Sequence, residues 1–153
     1  MKIADSFVVA APVERTWRAI RDPQVVGACL PGCEEIEAVS PTLYRARIGV
    51  KLGPIAAKFA AEVEVLEEEP PVRVVTVTRG EEGGRASNLR SDNILTLAPA
   101  DDGGTLVSYE ADMTVTGRLA KFGFGVMKKK AQSLASECAG NLEARDNEAA
   151  SGG

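Results

Sequence analysis

Apolar positions along this chain recur at two different periods, and the change of period divides it. Up to about Val115 the segments alternate mostly by two; from Gly117 to about Arg145 the step becomes three to four. Leu119, Phe122, Val126, Met127, Ala131, Leu134, Cys138 and Leu142 mark one face of a predicted long helix. Lys121, Lys128, Lys129, Gln132, Ser136, Glu137 and Glu143 lie opposite and suit water. Such a helix cannot bury its stripe alone, and the strands upstream are the only large partner on offer.

Ile3 to Ala11 reads as a strand with Phe7 and Val9 on one face. Pro12 then suits the first turn of a helix, where a missing N–H costs little. Val13, Trp17 and Ile20 give that helix an apolar side, and Asp22-Pro23 breaks it and opens a second short helical piece through Leu30. Leu30-Pro31-Gly32-Cys33 is a turn, and Glu34 to Val39 a strand. Leu43 to Leu52 alternates most cleanly, with Tyr44, Ala46, Ile48, Val50 and Leu52 against Arg45, Arg47 and Lys51. Ala57, Phe59, Ala61, Val63 and Val65 form the next strand. Glu67 to Pro71 reads as a solvated turn, Val72 to Thr78 as a β-branched strand, and Gly80 to Gly84 as a loop. Arg85 to Leu97 is a strand with a polar first half. Asp101-Asp102-Gly103-Gly104 signals a hairpin into Thr105 to Thr116, with Val107, Tyr109, Ala111, Met113 and Val115 on one face. The expected class is α+β: a curved antiparallel sheet of about seven strands, two short helices after the first strand, and a long C-terminal helix on the concave side. Residues 1–145 make one domain, and 146–153 read as a disordered polar tail.

Aromatic residues are only 5% of the chain, so the interior relies on Val, Leu, Ile and Ala. Ala46, Ala57, Ala61 and Ala111 fall on inward faces. Gly123 and Gly125 open the long helix at a cost of about 0.8–1 kcal/mol each relative to alanine. Small residues in a sheet that curls around one helix leave volume, so an apolar ligand cavity is expected there. Its expected lining is Tyr44, Ile48, Val50, Phe59, Ala61, Val63, Tyr109, Met113, Phe122, Gly123, Val126 and Met127. Trp17 is expected to pack the first helix on the sheet.

A net charge of −4 argues against a nucleic-acid partner, which calls for a basic face. The absence of histidine removes Ser-His-Asp and Cys-His arrangements and histidine metal sites. No catalytic residue, metal site or resident cofactor is expected. Cys29 and Cys33 flank a Pro-Gly turn with Cys138 far away, which suits neither a zinc site nor a disulfide framework. Reduced thiols and an N-terminus without an apolar signal region predict a cytoplasmic protein. The many glutamates read as solvated faces. Phe124 falls off the apolar stripe beside Lys128, Lys129 and Lys130. That cluster is either a solvated helix face or a patch that docks on a partner or an anionic membrane surface.

Phe7-Val8-Val9-Ala10-Ala11-Pro12, Trp17, Asp22-Pro23, Cys29-Leu30-Pro31-Gly32-Cys33-Glu34, Val50-Lys51-Leu52-Gly53-Pro54-Ile55, Gly103-Gly104-Thr105 and Val115-Thr116-Gly117-Arg118-Leu119-Ala120 with Phe122-Gly123 resemble the CoxG family of carbon monoxide dehydrogenase subunits. That family lies in the START-like (SRPBCC), helix-grip superfamily of ligand-binding proteins. The resemblance implies a cavity between sheet and C-terminal helix. It also implies a non-catalytic accessory role beside a molybdenum-containing carbon monoxide dehydrogenase or related hydroxylase, at the inner face of the cytoplasmic membrane. An isoprenoid quinone as the apolar ligand would join enzyme and membrane in one mechanism. Two other roles stay open: a recruitment protein acting through Cys29 to Glu37 or Phe124 to Lys130, and a cyclase-type enzyme using Tyr44, Tyr109 and Asn93.

Overall fold

Alternating β-branched residues and short Gly/Pro breaks make strands joined by tight turns, and the computed structural model contains seven. It describes the backbone of residues 1–152 and the side chains of 1–84 and 86–144. The chain runs β1 (Lys2–Val9), α1 (Val13–Arg21), α2 (Pro23–Cys29), β2 (Cys33–Ser40), β3 (Leu43–Leu52), β4 (Ile55–Glu69), β5 (Arg73–Glu82), β6 (Ser87–Pro99), β7 (Thr105–Gly117) and α3 (Phe124–Gly152). Single 3-10 turns occupy Gly83–Arg85 and Arg118–Phe122.

All neighbouring strands are antiparallel, in the order β1-β7-β6-β5-β4-β3-β2. β1 and β2 therefore lie at opposite edges. α1 and α2 connect one edge to the other, and with α3 they cover the concave side. Asp22 caps α2 by accepting from the Gln24 N–H at 2.9 Å, with Pro23 in the first turn. The β2 edge carries register shifts at Cys33/Glu35 and Ala38/Ser40, which blunt it against pairing with another chain.

Most boundaries fall within about two residues of the expected ones, and three places differ more. α3 begins at Phe124, not Gly117. Gly117 has φ +91°, and a Cβ there would overlap the Ala86 carbonyl; Gly123 has φ +85° and separates the 3-10 turn from the helix. Leu119 and Phe122 consequently pack from that turn and not from the helical stripe. Glu67 to Glu69 belong to β4, paired with Val75, Val74 and Arg73 beyond a bulge after Val65. Gly80 to Glu82 belong to β5, paired with Ala61, Ala60 and Phe59. Charge did not stop these strands, because ladder hydrogen bonds do not depend on the side chain. The tail expected over 146–153 falls on residues whose side chains lie outside those described.

Candidate ligand site on the concave face

Strand register decides which side chains share the concave face. Ile3, Asp5, Phe7 and Val9 of β1 stand opposite Ala111, Tyr109, Val107 and Thr105 of β7. The same face continues through Leu97, Leu95, Asn93, Ser91 and Leu89 of β6, and Val74, Thr76, Thr78 and Gly80 of β5. It is completed by Val65, Val63, Ala61, Phe59 and Ala57 of β4, and Tyr44, Ala46, Ile48, Val50 and Leu52 of β3.

Two packed clusters occupy its ends. One joins Val9, Trp17, Cys29, Val65, Val74, Leu97, Val107 and Leu142, with Phe7, Tyr44, Leu95 and Cys138 against it. Trp17 is 8% exposed, which places it between α1 and the sheet as expected. The other cluster joins Leu52, Ala57, Phe59 and Leu119, with Val50, Leu89, Val115 and Phe122. α3 follows Phe122 of the second cluster and delivers Leu142 to the first, so it passes above the stretch between them. That span is about 27 Å at 1.5 Å per residue.

The middle stretch belongs to neither cluster. Ala46, Ile48, Val63, Tyr109, Ala111 and Met113 are half-buried there, beside the buried Ala61 and Gly80. Above them Met127, Ala131 and Leu134 of α3 are also half-buried and also belong to neither cluster. Burial deepens along the helix from Val126, 47% exposed, to Leu142, 8%. The expected lining residues thus separate. Tyr44, Val50, Phe59 and Phe122 join the end clusters, whereas Ile48, Ala61, Val63, Tyr109 and Met113 form the middle band. Met127 is half-buried on α3, while Gly123 and Val126 are exposed at the helix start.

Phe124 is 52% exposed. Lys128 lies over its ring, 5.6 Å from the centroid, close enough for a cation–π contact. Lys128 and Lys130 are half-buried and Lys129 is exposed, so the three do not form one uniformly solvated face. The helix start therefore shows an aromatic ring, Val126 and three cations together.

Polar groups cross the middle band in a way that the sequence alone did not reveal. Asn93 Nδ2 donates to Thr76 Oγ1 at 3.2 Å and to Thr78 Oγ1 at 3.1 Å, and Ser91 Oγ donates to Asn93 Oδ1 at 2.7 Å. Even spacing of Thr76 and Thr78 with Val74 was the available signal. Tyr109 stands on the same face with its hydroxyl pKa raised, first by burial and then by the negative charge of Asp5. Tyr44 is committed elsewhere: its hydroxyl donates to the Pro41 carbonyl at 3.2 Å and accepts from Arg21 at 2.9 Å.

Glu82, expected in a loop, is 5% exposed. Arg118 Nε donates to its two carboxylate oxygens at 3.0 and 2.8 Å, Arg118 Nη2 reaches Glu82 as well, and Nη2 also donates to the Ala56 carbonyl at 3.3 Å. These bonds hold the 3-10 turn, and with it Leu119, on the end of the sheet. Hydrogen bonds from Arg118 hold the Glu82 carboxyl below its ordinary value against the opposing effect of burial. A depressed folded pKa stabilises the native state above the unfolded carboxylate's pKa, and the contribution is lost as pH falls through the folded value. Glu82→Gln is therefore expected to lower the melting temperature at neutral pH and to shrink the further drop on acidification toward about pH 3. Melting curves followed by circular dichroism check this, and equal acid sensitivity in both proteins would contradict it.

Cys33 and Cys138 offer little thiolate. Burial, with a smaller contribution from nearby Cys29, pushes Cys138 up to about 11, and burial raises Cys33. On the opposite, convex face, a groove of about 660 Å³ is lined by Arg45, Arg47, Arg79 and Arg90 with Glu35, Glu37, Glu62 and Glu81 around Ala60. Its charges are largely matched: Arg45 meets Glu62 at 3.2 Å and Arg47 meets Glu35 at 3.8 Å. Among the described residues, no helix is long and apolar enough to cross a membrane.

Solved structures share this architecture. A conserved protein from Geobacillus kaustophilus is 22% identical with a TM-score of 0.89, over 97% of this chain and 96% of that one. A START superfamily protein from Mycobacterium smegmatis is 16% identical with a TM-score of 0.74, over 96% and 97%. A Rhodobacter sphaeroides protein is 20% identical with a TM-score of 0.71, over 96% and 92%. At these identities the likeness establishes a START-like fold. No curated protein matches the chain. The CoxG family of carbon monoxide dehydrogenase subunits matches residues 6–145, nearly the whole described chain, and it is to this family that the chain belongs.

Proposed function

We propose that the chain is a non-catalytic accessory protein of a molybdenum-containing carbon monoxide dehydrogenase or a related hydroxylase. It holds an apolar ligand, an isoprenoid quinone, between the concave face and α3, and it works at the inner face of the cytoplasmic membrane. One observation carries this reading: the middle band and the first half of α3 are both half-buried and outside both packed clusters, while α3 runs from one cluster to the other. Interiors pack to high density, so apolar walls left at half burial suit a guest that completes them. Burial of an apolar guest contributes roughly 25 cal/mol per Å² removed from water. Extraction of the purified protein with organic solvent, followed by mass spectrometry, tests it. A co-purifying or added lipid-like molecule is expected, and a protein that neither retains nor takes one up overturns the reading.

The membrane role rests on Phe124, Val126 and Lys128 to Lys130 at the entrance side of α3. A basic residue near an anionic surface contributes about 1 kcal/mol, so reversing Lys128, Lys129 and Lys130 to glutamate is expected to weaken vesicle binding roughly a hundredfold. Co-flotation with phosphatidylglycerol vesicles measures this, and unchanged flotation removes the patch from the mechanism. Recruitment of the enzyme without a ligand is favoured by a different observation, the mixed-charge groove on the convex face. A pull-down with Arg45 and Arg79 reversed to glutamate separates the two roles.

A further inference from the structure

A stripe of polar side chains across an apolar sheet face calls for a reason, since buried polar groups cost free energy unless paired. Thr76 stands opposite Asn93 in the β5–β6 ladder, and Thr78 opposite Ser91. All four point to the concave side, between Val74 and Leu95 at one end and Gly80 and Leu89 at the other. Among the described residues their side-chain hydrogen bonds run only among themselves. They cap no helix and tie down no loop, so the network does not explain itself as scaffolding.

A backbone carbonyl only accepts, and Ser91 O lies 3.2 Å from Asn93 Nδ2, which fixes the amino side of the amide. Its two hydrogens are shared among that carbonyl, Thr76 Oγ1 and Thr78 Oγ1. Each threonine oxygen is therefore an acceptor toward Asn93 and retains its own proton for another partner. Among the described residues neither hydroxyl donates to any protein acceptor. Tyr109, diagonal to Asn93 through the Ala111 pair, likewise has a hydroxyl with no protein hydrogen bond. Burial and Asp5 both favour its protonated form, so it too is a donor. The belt thus offers three O–H donors and no cation, and the Asp5 carboxylate on the same face disfavours an anion.

From this geometry we infer that Thr76 and Thr78, oriented by Asn93 and flanked by Tyr109, bind the carbonyl oxygen of an otherwise apolar, uncharged ligand at the centre of the concave face. The inference rests on the ligand-holding reading above and adds where the polar end of the guest sits. It lies deep, mid-sheet, with the apolar part running along the band toward Phe124, and not with its polar end at the basic entrance. Asn93 is a positioning residue here, since its amide is already satisfied.

Two probes of similar size distinguish this subsite from general apolar binding: a benzoquinone with a short alkyl tail, and an alkylbenzene with the same tail. Titration calorimetry compares wild type with the Thr76→Val/Thr78→Val double variant and with Thr76→Ser/Thr78→Ser. The loss of two hydrogen bonds predicts a fall of about fivefold or more in quinone affinity in the valine variant. The alkylbenzene should bind the valine variant at least as well as wild type, and the serine variant should retain quinone affinity. Equal loss of both probes, or unchanged quinone affinity in a valine variant that melts normally, overturns the subsite while leaving the cavity intact. Failure of both probes to bind wild type overturns the subsite and the ligand-holding reading together.

Discussion

Replacing Ala111 with phenylalanine is expected to reduce binding of a short-tailed benzoquinone at least about a hundredfold, or about 2.7 kcal/mol. Ala111 is half-buried on β7, between Ile3 and Asn93 in the ladder, and it belongs to neither packed cluster. A benzyl group there would project from the concave face over the middle band, where the proposed guest would sit. Because no cluster surrounds it, the added side chain should change stability by no more than about 1–2 kcal/mol. Ala46→Phe, on the opposite wall at β3, should act in the same way. Titration calorimetry with parallel melting curves measures both quantities. Two well-folded variants that bind the probe like wild type would show that the guest does not occupy this band.

The largest effect on stability is expected at Trp17. Its indole is nearly buried among Val9, Leu97, Val107 and Leu142, where α1, the sheet and the C-terminal half of α3 meet. Trp17→Ala removes the largest side chain from that junction and leaves a cavity that three elements would have to collapse to fill. Such truncations cost about 3–5 kcal/mol. For a chain of this size that corresponds to a fall of roughly 6–20 °C in the melting temperature. A loss under about 1 kcal/mol in urea unfolding would mean that the junction is not a shared core. Trp17→Phe should recover most of the loss, since it retains an aromatic filler and needs no N–H partner.

The two substitutions act at different levels of the same architecture. Trp17 belongs to a cluster that closes one end of the sheet, and Leu119 with Phe59 closes the other. Between them α3 is suspended: its closest backbone approaches are to α2, β1 and the 3-10 turn before it. Asn141 helps anchor the far end by donating to the Cys29 carbonyl at 2.9 Å. The Glu82–Arg118 pair steadies the near end through the turn. These contacts anchor both ends of α3, and the half-buried band between them is where the proposed guest would sit.

Much of this was readable from period and breakers. β3 was legible to the residue, because Tyr44, Ala46, Ile48, Val50 and Leu52 alternate without exception between two turn signals. α1 was legible from Pro12, Trp17 and Asp22-Pro23. The ends of β4 and β5 were not, because Glu67 to Glu69 and Gly80 to Glu82 have the composition of loops. Strand pairing carried them on, and Arg118, 36 residues further along, neutralises the buried Glu82. The start of α3 was missed for a related reason. Glycine is tolerated inside helices, so nothing local distinguishes Gly123 at φ +85° from Gly125 within the helix.

Local pattern therefore specified the elements, their number, the α+β class and the apolar faces that had to meet, since each depends on neighbours a few residues apart. The motifs around Leu30-Pro31-Gly32-Cys33-Glu34 and Lys51-Leu52-Gly53-Pro54-Ile55 carried the family as well. Which inward residues pack together and which stay half-buried depended on where α3 comes to rest, and no local pattern encodes that. Tyr44, Val50, Phe59 and Phe122 went to the end clusters by this route, while Ile48, Ala61, Val63, Tyr109 and Met113 kept the band between them. The polar belt arose in the same way. Thr76 and Thr78 lie well over ten residues from Ser91 and Asn93 along the chain, and only the β5–β6 register sets their hydroxyls around one amide.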